Sequence, residues 1–178
     1  STMAMVARDI KQVWAFSTIS QLGFMLMALG AGSFFAGVFH LVTHAGFKAL
    51  LFLCAGVLIH RFDTNDMVAI GRLGGGRLKT TMACLIVGEG ALSGLPPLAG
   101  FMSKWQIFTA GFSTHNLLIG GVIIFAALNS VLSLAYYAPL VNAMYRKKPS
   151  TAVLAGQPLP FSMALPLALL AVSIITIG

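Results

Sequence analysis

The stretch from Lys79 to Phe112 constrains this chain most, because a long apolar run is interrupted near its middle by Gly94-Leu95-Pro96-Pro97-Leu98-Ala99-Gly100. Proline lacks an N–H group and disfavours helix at the preceding residue, so two prolines between glycines predict a break in a helix. Inside a bilayer, such a break is tolerated only where protein or a watery cavity satisfies the freed backbone groups. The segment is therefore expected to be a broken membrane helix of the kind that marks ion paths in transporters.

The composition predicts a membrane protein. Of the 178 residues, 58% are hydrophobic and 8% are charged, whereas a soluble domain has roughly 25% charged residues. The length suits about five or six crossings of ~20 residues each. We interpret the net charge of +7 as loop topology and expect no nucleic-acid partner. The start of the chain shows no basic segment or cleavage site, so we expect no signal peptide.

We predict an all-α fold, a polytopic transmembrane bundle that forms one domain over residues 1–178. The predicted membrane segments are 12–30, 34–60, 79–112 (broken at 94–100), 117–145 and 161–178. The polar, glycine-rich residues 61–78 are expected to form a loop outside the membrane. Within the first segment, small residues including Ser17 and Ser20 are interpreted as a stripe for close helix packing.

The basic residues predict the orientation of the chain. If each apolar run crosses once, nine of the eleven fall on one face: Arg8, Lys11, Arg61, Arg72, Arg77, Lys79, Arg146, Lys147 and Lys148. The positive-inside rule places that face in the cytoplasm or its organellar equivalent. The remaining two, Lys48 and Lys104, lie inside membrane segments and are candidate functional residues.

Lys48 lies thirteen residues before Arg61, which is roughly 20 Å along a helix and places it near the bilayer midplane. Burial disfavours the charged form of a lysine, so such a residue could pass protons. The alternative is a permanent ion pair that locks helices together. His40 and His44 precede Lys48 at spacings of four residues, and this titratable column suits a proton relay. A zinc site is the rival interpretation, but no third ligand of the usual type lies close by.

Glu89 and Lys104 flank the break. Glu89 lies between Gly88 and Gly90, which are expected to let another backbone or water approach its carboxylate. It is interpreted as a proton-handling group, a partner for a lysine or a group near a solvated helix end. Lys104 lies near the start of the second half-helix, where the positive end of the helix dipole disfavours a cation and favours proton release.

Three other polar residues follow in the segment 117–145. Asn129, Tyr136 and Tyr137 could extend a hydrogen-bonded path, although residues of this kind more often have packing roles.

Three motifs carry a resemblance to a known family. They are Arg8-Asp9-Ile10-Lys11 leading into residues 15–23 (AFSTISQLG), residues 40–53 (HLVTHAGFKALLFL) and residues 94–104 (GLPPLAGFMSK). In this order they resemble the antiporter-like proton-translocating membrane subunits of respiratory complex I, energy-converting hydrogenases and multisubunit sodium/proton antiporters. The resemblance covers roughly residues 8–145.

The resemblance implies two inverted five-helix repeats, each with a broken helix, and an axis of polar residues that transfers protons. It assigns Lys48 as the central lysine and Lys104 as the lysine of the broken helix. His40 and His44 match the polar link between them, and Lys11 matches the basic residue at the start of this half. Only the second repeat, without its first helix, and one further crossing are recognisable. We therefore expect a fragment, or a split subunit whose first repeat is supplied by another polypeptide.

We predict a non-catalytic, proton-translocating subunit of a redox-driven pump that oxidises NADH, a reduced deazaflavin or ferredoxin, or of a membrane-bound hydrogenase. Protons would enter from the basic face, occupy Lys48 through the histidine column and pass to Lys104. The predicted proton-translocation residues are Lys48, Lys104, His40, His44, Glu89 and Lys11, and the predicted helix break comprises Gly94, Pro96, Pro97 and Gly100. The alternatives are a cation/proton antiporter subunit without a redox partner and an inert membrane scaffold.

The sequence also predicts the partners and the location. The chain shows no cysteine cluster or phosphate loop, so iron–sulfur clusters with flavin or nickel are expected in peripheral redox subunits. Other membrane subunits are expected to surround the chain in the bilayer. We expect a multi-pass protein of the prokaryotic cell membrane, with an organellar inner membrane as the alternative, and with the basic loops in the cytoplasm.

Overall fold

The computed structural model describes residues 2–145 and 159–178, so the predicted basic cluster at 146–148 lies outside the described residues. The regular elements of the described part are helices, which confirms the predicted all-α fold. The α-helices are α1 (Thr2–Val6), α2 (Ile10–Gly30), α3 (Phe34–Phe62), α4 (Met67–Arg72), α5 (Lys79–Ser93), α6 (Ala99–Phe112), α7 (Leu117–Tyr145) and α8 (Phe161–Ile177), and a 3-10 helix, Gly75–Arg77, lies between α4 and α5.

Several helices have the length and composition of membrane spans. In the described part these are α2, α3 and residues 117–135 of α7. The shorter helices α5 and α6 occupy the predicted segment 79–112, with the break between them, and α8 is a further apolar helix of 17 residues. The apolar side chains on the outside of the bundle, such as Leu117 at 93% exposure and Phe34 at 73%, are those that a bilayer would cover.

Two aspartates fix the basic end of the bundle. Asp9 caps α2 and Asp66 caps α4, each by accepting two backbone N–H bonds of 2.7–3.2 Å from the first turn of its helix. Backbone hydrogen bonds of 3.1 Å also join residues 8–10 to residues 65–67. The predicted loop 61–78 thus contains a short helix, because Asp66 initiates α4 on the apolar residues that follow it.

The central element of the bundle is α3, which packs against α2, α5, α6 and α8. Its apolar face contributes Phe47, Leu50, Leu51 and Leu58, all fully buried, to the main core. The interior also holds polar side chains, and those that are buried are Ser17, Gln21, His40, Thr43, His44, Lys48, Thr81, Glu89, Ser93, Ser103, Lys104 and Ser133. Buried polar groups require partners, and their contacts define the candidate site.

Candidate functional site

One face of α3 presents a column of three titratable side chains. His40, His44 and Lys48 are 0, 8 and 6% exposed, and the ring centroids of the two histidines lie 6.3 Å apart. Because residues four apart on a helix lie on the same face, the sequence spacing accounts for this arrangement. Lys48 lies one turn beyond His44 on this face of α3, and His40 contacts Ser103, the residue before Lys104.

Lys48 is held by neutral oxygens of α2. Its Nζ donates to the backbone carbonyl of Trp14 at 2.7 Å and to the hydroxyl of Ser17. The same Nζ lies 5.9 Å from the centroid of the Trp14 ring, which adds a cation–π contact. These described partners carry no charge. The contacts therefore differ from the permanent ion pair that was the alternative interpretation of Lys48 in the sequence.

His40 bridges α2, α3 and α6. Its Nδ1 lies 2.8 Å from the hydroxyl of Ser103 on α6, and its Nε2 lies 3.2 Å from Oε1 of Gln21 on α2. Gln21 follows Ser17 by one helical turn and lies on the same face of α2. A sequence of polar groups therefore runs from Lys48 through Ser17, Gln21 and His40 to Ser103, which is adjacent to Lys104 in the chain.

Lys104 caps the end of the first half-helix. Its Nζ donates to the carbonyl of Leu92 at 2.7 Å and to the hydroxyl of Ser130 on α7 at 2.7 Å. The hydroxyl of Ser130 in turn donates to the carbonyl of Ser93 at 3.0 Å. Lys104 and Ser130 thus satisfy two of the four C-terminal carbonyls that a helix leaves unpaired.

The remaining two carbonyls of α5 are satisfied by the turn itself. The backbone N–H of Gly94 donates to the carbonyls of Gly90 and Ala91, both at 3.0 Å. Gly94 has φ +83°, a left-handed conformation typical of a glycine that ends a helix. With all four carbonyls paired, the break is a finished helix end that needs no water to satisfy these groups.

The prediction that the dipole of α6 disfavours the charged form of Lys104 is wrong. The sequence indicated the positive end of the α6 dipole, but Lys104 is the sixth residue of α6, beyond its first turn. Its side chain extends back into the break and reaches the C-terminal carbonyls of α5, whose negative partial charge stabilises a cation. The reason is that helical side chains point toward the N-terminus of their own helix.

The predicted break residues lie at the junction of α5 and α6. Gly94, Pro96 and Pro97 lie between the two helices, whereas Gly100 is the second residue of α6. A side chain at Gly100 would overlap the backbone carbonyl of Ala91, so glycine lets the two half-helices touch. This contact holds the end of α5 against the start of α6.

Glu89 is buried, and its side chain takes no part in the contacts described so far. It is 5% exposed, and its Oε1 has no hydrogen-bond partner within residues 2–145 and 159–178. A Cβ on Gly88 or Gly90 would come within 2.8 Å of a methyl group of Leu51 or Leu98, respectively. The two glycines therefore make room for leucine side chains, not for the approach of water that the sequence suggested. The role of Glu89 in proton transfer stays a prediction.

The other polar residues that the sequence singled out take part in different contacts. Lys11 is exposed in the first turn of α2. Asn129 donates to Ser20 at 2.8 Å and lines a cavity of about 430 Å³ between α2 and α7. The ring of Tyr137 packs against Trp14 at a centroid distance of 5.6 Å. The side chain of Tyr136 lies outside the described residues.

Four residues of the site were not identified from the sequence as proton-path candidates. Ser17 was interpreted only as a small packing residue, and Gln21, Ser103 and Ser130 were not singled out. The available signal was polarity at helical spacing: Ser17 and Gln21 lie one turn apart in an apolar segment, and Ser103 directly precedes a buried lysine. Their cross-helix partners, however, depend on the packing of distant segments.

In the described ranges, no three histidine, cysteine, aspartate or glutamate side chains come together as a possible metal site. The described part therefore gives no donor set to which a metal or cluster could be assigned.

The family assignment follows from a comparison with known proteins. The model of the family described as NADH:quinone oxidoreductase/Mrp antiporter, TM, matches residues 1–133. The chain belongs to this family. The match confirms the family resemblance indicated by the three motifs and an integral membrane location.

Relatives in the NADH:quinone oxidoreductase/Mrp antiporter family include subunits of quinone oxidoreductases. The chain is 39% identical over 148 residues to the NADH-quinone oxidoreductase subunit L of Rickettsia bellii, a match that covers 83% of this chain and 22% of that protein. It is 45% identical over 127 residues to the NAD(P)H-quinone oxidoreductase chain 5 of a Synechocystis strain, covering 66% of this chain and 18% of that one.

A solved structure shows the same fold. It is that of the membrane-bound sulfane sulfur reductase, an archaeal respiratory membrane complex, with a TM-score of 0.83 and 28% identity. The match covers 99% of this chain and 29% of the other chain. This chain thus spans less than a third of the length of each of these three proteins.

Proposed function

We propose that this chain is a proton-translocating membrane subunit of a redox-driven proton pump. The observation that supports the proposal most is the buried polar column, in which hydroxyl, amide and imidazole groups lie between Lys48 and Lys104. Ionisable residues inside a membrane bundle are costly, and their usual roles are in ion or proton pathways. A column of groups that both donate and accept hydrogen bonds is the arrangement that a proton relay needs.

The neutral partners of the two lysines favour proton transfer over a structural role. Removing the proton of a lysine paired with a buried carboxylate leaves an unpaired charge in the interior, which is strongly unfavourable. The described partners of Lys48 and Lys104 are carbonyls and hydroxyls, so no such penalty follows. Each lysine can therefore exchange a proton with its neighbours at a smaller cost.

The order of the groups gives the proposed route. Helix α3 ends at the basic face near Arg61, and Lys48 is nearer to that end than the two histidines. Protons would enter from the basic, cytoplasmic face and reach Lys48 before the histidines, which reverses the order expected from the sequence. They would continue by way of Ser17, Gln21, His44 and His40. They would then pass to Lys104 for release toward the opposite side.

The relatives support a redox partner. Their names are those of quinone oxidoreductase subunits, and the structural neighbour belongs to a sulfane sulfur reductase. We infer that iron–sulfur clusters, with flavin or nickel, reside in peripheral partner subunits, and that other membrane subunits include the part equivalent to the first repeat. The proposed location is the prokaryotic cell membrane.

The composition of the native complex tests this proposal. The chain would be isolated from its native membrane in mild detergent, and the co-purifying proteins would be assayed for iron, flavin and nickel. We expect iron–sulfur protein to accompany the chain. Co-purification of membrane subunits alone, together with sodium-dependent proton flux, would instead support a cation/proton antiporter, the other activity in the family's description.

A further inference from the structure

His40 lies between two side chains of different hydrogen-bonding capacity. An amide oxygen only accepts hydrogen bonds, so Oε1 of Gln21, 3.2 Å from Nε2, requires a proton on that nitrogen. A hydroxyl group can donate or accept, so Ser103, 2.8 Å from Nδ1, is compatible with either state of the second nitrogen. The proton that His40 gains or loses is therefore the one on Nδ1.

The hydroxyl of Ser103 has two possible acceptors for its single proton. One is Nδ1 of His40, and the other is the carbonyl of Gly100, one turn earlier on α6, at 3.2 Å. When His40 is neutral, Ser103 must donate to Nδ1. When His40 is charged, Nδ1–H donates to Ser103, whose own proton is free to turn to Gly100.

We propose that Ser103 is a positioning residue that switches the direction of its hydrogen bond whenever His40 gains or loses a proton. One proton arrives at Nδ1 or leaves it, the hydroxyl rotates, and no covalent bond other than N–H changes. The importance of this switch for pumping rests on the proposed function, whereas its hydrogen-bond chemistry does not.

The switch contacts the turn that positions Lys104. In an α-helix a carbonyl accepts from the N–H four residues later, so the Gly100 carbonyl pairs with the amide of Lys104. Gly100 also touches the backbone of Ala91 at the end of α5. Proton gain at His40 thus adds a hydrogen bond at the junction of the two half-helices.

A substitution at Ser103 leaves the other titratable groups around His40 in place. In the described part these are His44 on α3 and Lys104 on α6, while α2 contributes the uncharged Gln21 and Phe24. A change at Ser103 therefore alters the hydrogen bond at Nδ1 and leaves the charges in place. The variant Ser103→Thr keeps the hydroxyl, whereas Ser103→Ala removes it.

Ser173 offers a matched control. Its hydroxyl donates to the carbonyl three residues earlier at 2.8 Å, as Ser103 does to Gly100, but it lies on α8, away from His40. The variants Ser103→Ala, Ser103→Thr and Ser173→Ala would each be prepared in the native complex.

The test measures the protonation of His40 directly. The complex would be labelled with ¹⁵N-histidine, and the ring nitrogens would be observed by solid-state NMR, with His40→Gln used for assignment. At the pH where wild-type His40 is half protonated, we expect Ser103→Ala to lower the ratio of charged to neutral ring about tenfold, because hydrogen bonds to charged groups are stronger than those to neutral groups. Ser103→Thr and Ser173→Ala should stay within about twofold of wild type.

Three results would overturn the proposal. The first is an unchanged ratio in Ser103→Ala, and the second is an equal change in Ser173→Ala. The third needs no variant: the neutral wild-type ring must carry its proton on Nε2, so observation of the Nδ1–H form contradicts the switch even if Ser103→Ala fails to assemble. A tenfold change without any effect on pumping would support the switch and argue against His40 as a relay in the proposed function.

Discussion

Replacing Ser17 with alanine removes the side-chain hydroxyl that joins Lys48 to α2. Lys48 keeps its hydrogen bond of 2.7 Å to the carbonyl of Trp14 but loses the contact on the side of Gln21 and His40. The variant therefore interrupts the polar column while leaving the lysine partly solvated by the protein. We expect impaired proton transfer, together with the loss of stability that follows from losing one buried hydrogen bond to a charged group.

The size of the effect follows from the contact that is lost. A hydrogen bond to a charged group contributes about 1.5–3 kcal/mol. Each increase of about 1.36 kcal/mol in an activation free energy lowers the rate about tenfold. If proton transfer from Lys48 uses this contact, proton pumping falls about 10- to 100-fold in Ser17→Ala. The measurement is proton uptake and electron transfer by the purified complex in proteoliposomes.

Thr18 provides the control for this prediction. The hydroxyls of Ser17 and Thr18 both donate to the carbonyl of Trp14 at 3.0 Å, but the described contact to Lys48 involves only Ser17. The variant Thr18→Val should therefore pump within about twofold of wild type. Equal pumping by Ser17→Ala and wild type would refute the reasoning, and so would an equal loss in Thr18→Val.

Two further predictions concern the broken helix. Gly100→Ala should lower the free energy of unfolding by about 3 kcal/mol, because the added Cβ would overlap the backbone of Ala91. Thermal unfolding of the complex measures this loss. The control is Gly56→Ala, which should cause no loss because a Cβ on Gly56 would enter open space. An unaltered melting temperature in Gly100→Ala would contradict the close contact. Glu89→Gln should keep the melting temperature, since Oε1 has no described partner, but should reduce pumping because an amide cannot release a proton. Normal pumping would remove Glu89 from the path.

The features that local rules govern could be predicted from the sequence. Two prolines flanked by glycines end a helix wherever they occur, and the observed break lies between Ser93 and Ala99. The spacing of His40, His44 and Lys48 similarly places them on one face before any tertiary contact is known. Helix boundaries and the buried titratable column are consequences of this local geometry.

The partners of these residues could not be predicted, because they come from segments far apart in the chain. Ser17 contacts a residue 31 positions away, and Ser103 contacts one 63 positions away. The expectation for Lys104 failed in the same manner, since it considered the dipole of its own helix and not the carbonyls of α5 that the side chain reaches. The glycines beside Glu89 were misread because the leucines that fill the space come from α3 and from the break.

The most direct test of the central claim is the proton-to-electron ratio of the native complex after Lys104→Ala. The account predicts that electron transfer is partly retained while pumping through this subunit is lost, because the hydrogen bonds from Lys104 to Leu92 and Ser130 join the column to the broken helix. Lys79→Ala, at an exposed lysine in the first turn of α5, should keep the wild-type ratio. An unchanged ratio in Lys104→Ala would contradict the claim that buried lysines of this chain translocate protons.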